Sequence, residues 1–144
     1  MKLLWVACGP FLLGLLSLVI IGCGSSQATP SLAEKLKGRW KLVGEPRAPD
    51  NRIEFQKTSD AGGTFESTIP SIVTLTFKGT WQLSDRTLTW RYREVPDLVR
   101  WGEQFGGSKF PDTMTFTIVR ISDTELVLKR LRGATEERYE RIPE

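Results

Sequence analysis

The chain has 144 residues, 40% hydrophobic and 26% charged, with a formal net charge of +3. That length fits one domain with room for a tail, and the composition is that of a globular chain. It has no histidine and two cysteines, which excludes Ser-His-Asp and Cys-His catalysis, histidine-ligated zinc and an imidazole switch near neutral pH.

The first element is a dense apolar block over residues 3–21, broken only by Gly9, Pro10, Gly14 and Ser17. Lys2 precedes it and no acidic residue appears before Glu34. A charged start followed by an apolar core is the pattern of an export signal. A membrane-spanning anchor has a similar look, since about 18 apolar residues cross a bilayer. The end of the block separates the two readings. Ile20-Ile21-Gly22-Cys23 resembles the lipobox of bacterial lipoprotein precursors. That resemblance implies a diacylglycerol on the Cys23 sulfur and cleavage between Gly22 and Cys23. The position of Cys23 at the end of the block, before a polar spacer, favours it over an ordinary signal with a chance cysteine.

The expected organisation is therefore a signal peptide over 1–22, a lipidated cysteine and tether over 23–31, and one domain over 32–144. Cys8 leaves with the signal and Cys23 carries lipid, so no disulfide forms. The domain must be held by its core alone. Gly24 stands where an aspartate retains some lipoproteins at the inner membrane. The expected location is lipid-anchored, at the outer membrane if the host has one. The tether, Gly24 to Ser31, spans at most about 26 Å.

Ser31-Leu32-Ala33-Glu34 matches a capping box and predicts a helical turn over 31–36, ended by Gly38. Alternation of period two then dominates, the mark of half-buried strands. Trp40 and Leu42, then Ile53 and Phe55, form the first two runs. Val73, Leu75 and Phe77 form another, followed by Trp81 and Leu83. Leu88, Trp90 and Tyr92 alternate with Thr89 and Arg91. Met114, Phe116 and Ile118 alternate with threonines. Leu126 and Leu128 come next, and a weaker, more charged run covers 135–142. Turn signals fall at Ala61-Gly62-Gly63, Ser84-Asp85-Arg86, Ser122-Asp123-Thr124 and Arg132-Gly133-Ala134. The pattern predicts an all-β domain of seven to nine antiparallel strands, a sandwich or an up-and-down barrel, closed or half-open. Residues 96–111 break the alternation. They are bounded by prolines and hold three glycines with Trp101, Phe105 and Phe110. Two readings are open: a functional loop, or a connection across the barrel end plugged by Trp101 and Phe105.

Gly38-Arg39-Trp40-Lys41-Leu42 resembles the opening strand of the calycin group, the lipocalins and intracellular fatty-acid-binding proteins. Together with Cys23, the tether and the later Gly79-Thr80-Trp81-Gln82-Leu83, it also resembles small bacterial lipoproteins with a lipocalin-like domain. The resemblance implies a lipocalin-like barrel able to hold an apolar ligand. It also implies that the strand tryptophan packs against a late arginine, here Arg141 or Arg138. Departures stand beside it. The lipocalin Thr-Asp-Tyr turn is absent, and no helical pair follows the first strand. Arg138 and Tyr139 are adjacent and so face opposite ways. Tyr139 and Arg141 share a face, either as a carboxylate-binding pair or as a surface pair.

No phosphate loop, calcium loop or zinc spacing is present, so no enzyme activity, metal or cofactor is expected. Without the signal, 19 basic and 17 acidic residues remain, a net of +2. Arg91 and Arg93 beside Trp90 and Tyr92 suit nucleic acid in composition, but export argues against that partner. Two functions stay open. One is a membrane-anchored carrier or sensor of a small apolar ligand, with Trp90, Tyr92, Phe116, Tyr139 and Arg141 as candidate ligand contacts. The other is a ligand-free envelope module presenting Trp101 and Phe105 to a protein partner.

Overall fold

A computed structural model describes residues 29–45 and 50–143. The signal peptide, Cys23 and most of the tether lie outside the described residues. The described chain begins with helix α1 (Leu32–Leu36). The Ser31 side chain accepts a hydrogen bond from the Glu34 backbone N–H at 3.2 Å, as the capping box requires. Ala33 and Leu36 are fully buried.

Eight strands come next along the chain: β1 (Gly38–Val43), β2 (Arg52–Ser59), β3 (Gly62–Ile69), β4 (Leu75–Ser84), β5 (Thr87–Glu94), β6 (Thr113–Ile121), β7 (Glu125–Arg130) and β8 (Glu136–Arg141). Each pairs antiparallel with the next, and β1 pairs with β8 through Trp40↔Arg141 and Leu42↔Tyr139. The sheet is thus a closed up-and-down barrel. Closure leaves no unpaired strand edge to template aggregation.

Successive connections alternate between two ends. At one end lie α1 and three short turns, around Asp60, Asp85 and Asp123. At the other lie the longer connections: the β1–β2 link, of which residues 44, 45, 50 and 51 are described, and residues 70–74, 95–112 and 131–135. The α1 end is packed solid. Trp40, Phe55, Trp81, Leu88, Phe116 and Ile118 are all essentially inaccessible. The Trp40 indole N–H donates to the Leu36 carbonyl at 2.9 Å, which ties β1 to α1. Gly38 enters this end at φ +119°, and a Cβ there would strike the Arg141 guanidinium. Only glycine serves in that position.

The structure corrects three sequence expectations. Ala61-Gly62-Gly63 is not a turn as a whole: Asp60 and Ala61 turn, while Gly62 and Gly63 open β3. That strand carried no alternation signal because its inward positions include Gly63 and Ser67. Gly63 is small for a reason. A Cβ there would lie 1.8 Å from the Gln56 carbonyl and 2.8 Å from Trp81 Nε1. The space lets the Trp81 indole donate to the Gln56 and Thr64 carbonyls at 3.2 and 3.0 Å. Second, the runs around Phe77 and Trp81 are one strand, β4, interrupted inside by Gly79. A side chain at Gly79 would meet the Phe65 ring. Val73 falls outside that strand and is exposed.

Third, Trp101 and Phe105 do not plug the barrel. Residues 97–104 form helix α2 (Asp97–Gln104), which has no buried residue. Leu98, Trp101 and Phe105, spaced along one stripe, all face outward, Phe105 at 88% exposure. The side chain that covers the barrel here is Phe110, stacked on Phe77 at 5.3 Å and edge-on to Tyr92 at 4.9 Å.

Candidate functional site

The end away from α1 holds a cavity of about 220 Å³. Every strand supplies part of its wall. β1 gives Leu42, β2 Ile53, β3 Ser67 and Ile69, and β4 Phe77. β5 gives Trp90 and Tyr92, β6 Met114, β7 Arg130, and β8 Glu137 and Tyr139. Period-two geometry produces this convergence, because inward side chains on each strand point to one axis. Trp90 forms the boundary with the solid end. Its ring lies 4.4 Å from Phe116, 5.3 Å from Phe65 and 5.8 Å from Phe55.

Three polar side chains in the wall, Arg130, Glu137 and Tyr139, are tied together. Tyr139 Oη donates to Glu137 Oε2 at 2.7 Å, and Arg130 Nε donates to Glu137 Oε1 at 2.9 Å. The carboxylate therefore has a partner on each oxygen. Tyr92 Oη contacts Met114 Sδ at 3.4 Å. Burial pushes the Tyr92 phenol up to about 12. The Tyr139 phenol is pushed well up as well, by burial first and then by the Glu137 charge. Both stay neutral across the ordinary pH range. The Trp90 indole nitrogen and Asn51 Oδ1 are covered and have no hydrogen-bond partner among the described residues. Buried groups left unpaired are uncommon, and both belong to residues of this wall.

Of the ligand residues read from sequence, Trp90, Tyr92 and Tyr139 line the cavity together. Phe116 lies beneath it, fully buried under Trp90. Arg141 is at the opposite end. Its guanidinium lies 4.1 Å from the centre of the Trp40 ring and donates to the carbonyls of Asp123, Lys37 and Lys35. Tyr139 and Arg141 thus do not converge on one carboxylate. Arg138 faces outward and pairs with Glu125 at 2.9 Å, so the arginine on the tryptophan is Arg141. Sequence reasoning missed Arg130 and Glu137. The available signal was phase: Glu137 stands two residues before Tyr139, on the same face.

A larger concavity, about 750 Å³, lies over Gly62, Gly63, Gln82, Thr89, Arg91 and Arg93. Those side chains of β4 and β5 are out of phase with Trp81 and Trp90. It is an open furrow on the outer wall, where Gly62, paired with outward Gln82, carries no side chain. Arg91 and Arg93 are solvated there, as strand alternation requires. Among the described residues no three acidic, cysteine or histidine side chains cluster to hold a metal.

Among the described residues, six of the seven large apolar side chains most exposed to solvent are on the mouth connections: Ile72, Val73, Leu98, Trp101, Phe105 and Leu131. The turns at the α1 end carry none.

No protein-family model and no curated protein matches this sequence. Two solved structures do match in fold. One is a lipocalin-like protein from Bacteroides uniformis, 19% identical, covering 74% of this chain and 97% of its own, with a TM-score of 0.53. The other is an uncharacterized protein from Bacteroides eggerthii, 18% identical, covering 74% of this chain and 99% of its own, also at 0.53. At such identity the likeness speaks for fold alone. With the closed eight-strand barrel and the short leading helix, it gives this chain a lipocalin-like barrel fold.

Proposed function

We propose that this chain is an exported lipoprotein, cleaved before Cys23 and anchored through it, whose barrel takes a small apolar ligand into its open end. One observation carries the ligand reading. All eight strands contribute to a single cavity at one end, while the other end is filled and covered by α1. Eight strands enclose an interior just wide enough to be filled by side chains or to hold one small ligand. Here both occur, one in each half. The chemistry supports binding rather than catalysis, because the wall offers ring faces and a Glu137 carboxylate already partnered on each oxygen.

The described chain starts beside α1, so a tether from Cys23 would reach the closed end. The mouth would then face away from the anchoring membrane. Native mass spectrometry of the protein from its own host tests the ligand, with an expected non-covalent adduct of low mass. Replacing Met114 by tryptophan should remove that adduct by filling the cavity. An adduct-free protein that also ignores neutral ring-shaped probes would overturn the reading. The N-terminal mass tests the anchor. An unmodified Cys23 on an uncleaved chain would refute it.

The outward stripe on α2 favours a second reading, a surface for an envelope protein. Exposed aromatic and leucine side chains in one patch often mark such contacts. Crosslinking in cells should then recover a partner that is lost when Trp101 and Phe105 are both replaced by alanine. Nucleic acid is not a partner in either reading.

A further inference from the structure

We infer that the cavity selects a small, uncharged, ring-shaped molecule and rejects long-chain carboxylates. The inference rests on the ligand-binding reading above and names the ligand class for that site. It stands on size, shape and charge.

The cavity measures about 220 Å³. An apolar cavity of about 150 Å³ accepts benzene, whereas pockets for drug-sized ligands begin near about 300 Å³. One or two fused rings fit. A long alkyl chain does not, and it has nowhere deeper to go. Below Trp90 the interior is closed by Phe116 and Leu88, both fully buried.

Shape is set by the wall. Phe77, Trp90, Tyr92 and Phe110 present ring faces and edges to one space, with Met114 beside them. Stacked and edge-to-face contacts reward a flat guest.

Charge decides between neutral and ionised rings. Arg130 is the cation that borders the interior in phase with the buried positions of its strand, and it is already held by Glu137. Arg52 also borders the cavity but is out of phase with inward Ile53 and Phe55, so it leaves the interior. A ligand carboxylate that took Arg130 for itself would sit beside Glu137, a like charge. Glu137 would then be left largely buried without its cation, which is costly. A ligand ammonium meets the converse obstacle at Arg130. A neutral ring disturbs neither partner.

The test is titration calorimetry of the full chain in nanodiscs, with empty nanodiscs as blank. The probes are 2-naphthamide, 2-naphthoate and decanoate. The first two share a shape and differ in charge. The amide should bind at least about tenfold more tightly than the carboxylate, and decanoate should give no heat above the blank. Glu137→Gln frees Arg130 and should tighten 2-naphthoate by about tenfold or more. If that variant fails to fold, Arg130→Gln serves instead, and it should weaken 2-naphthoate further while sparing 2-naphthamide. Binding of 2-naphthoate as tight as the amide, or displacement of the amide by decanoate, would overturn the ligand class and leave the binding reading standing. Silence from all three probes, with no adduct in native mass spectra, would remove the binding reading itself.

Discussion

Trp40 and Trp90 sit in the two halves of one barrel and are treated differently. Trp40 is fully buried, its indole N–H bonds to a carbonyl, and Arg141 lies across its ring. Trp90 is nearly as buried, but its indole N–H has no partner and one side of the residue borders a cavity. The polar groups differ in the same way. Arg141 closes the α1 end by donating to three backbone carbonyls, while Arg130 holds a carboxylate inside the mouth. The connections match this division: they are short and polar at the α1 end and longer at the mouth, where three of the four carry exposed apolar side chains. One half is built to be full. The other is built to leave room.

The largest expected effect lies in the full half. Trp40→Ala should cost about 3–5 kcal/mol, the usual penalty for emptying a well-packed aromatic site. Urea denaturation reads it directly. A cost under about 1 kcal/mol would mean that the α1 end is not the rigid half.

Alkaline pH should strain the mouth. The Tyr92 phenol is raised in the folded state, to about 12. Its neutral form is favoured by folding, so the contribution is fully present below the unfolded value near 10. Stability is then lost as pH rises from about 10 towards 12, by up to about 3 kcal/mol, because the unfolded chain releases the proton first. Tyr139 adds to the same trend in the same direction. Tyr92→Phe should flatten the decline in thermal midpoint over that window. An unchanged decline would mean that Tyr92 is not enclosed.

A smaller effect separates the two arginine clusters. Tyr139→Phe removes one hydrogen bond from Glu137 and should cost about 1 kcal/mol, with Arg130 still satisfying the carboxylate. Replacing Leu98, Trp101 and Phe105 together by serine should change stability least, within about 0.5 kcal/mol, because none of the three is buried. A larger loss would assign α2 to the fold rather than to a surface.

These differences explain what the sequence made legible. The capping box at Ser31, the Gly38-Arg39-Trp40 strand and five or six alternating runs were readable because their inward residues are large and apolar. β3 was not, since Gly63 and Ser67 take inward positions where Trp81 and the cavity claim the space. Gly79 hid the unity of β4 for the same reason. Of the site, Trp90, Tyr92 and Tyr139 could be found from phase and ring chemistry. Glu137 lies in the charged run over 135–142 and Arg130 between two turn signals, where sequence gives neither an inward role. Nothing local distinguishes an inward ion pair from an outward one until the β7–β8 register is known. Residues 96–111 leave two readings open in sequence, a functional loop or a plug, and the structure turns the apolar stripe of Leu98, Trp101 and Phe105 to solvent. Periodicity reveals a stripe but not which side of it meets the core.

The four tryptophans of the domain report on the contrast most directly. Trp40 marks the closed end, Trp81 the wall, Trp90 the cavity and Trp101 the outer helix. Nitrogen-15 indole spectra recorded during titration with 2-naphthamide should show the Trp90 resonance moving while Trp40 and Trp81 stay fixed. Movement of Trp101 with Trp90 unchanged, or of Trp40 to the same degree as Trp90, would contradict a barrel that is solid at one end and receptive at the other.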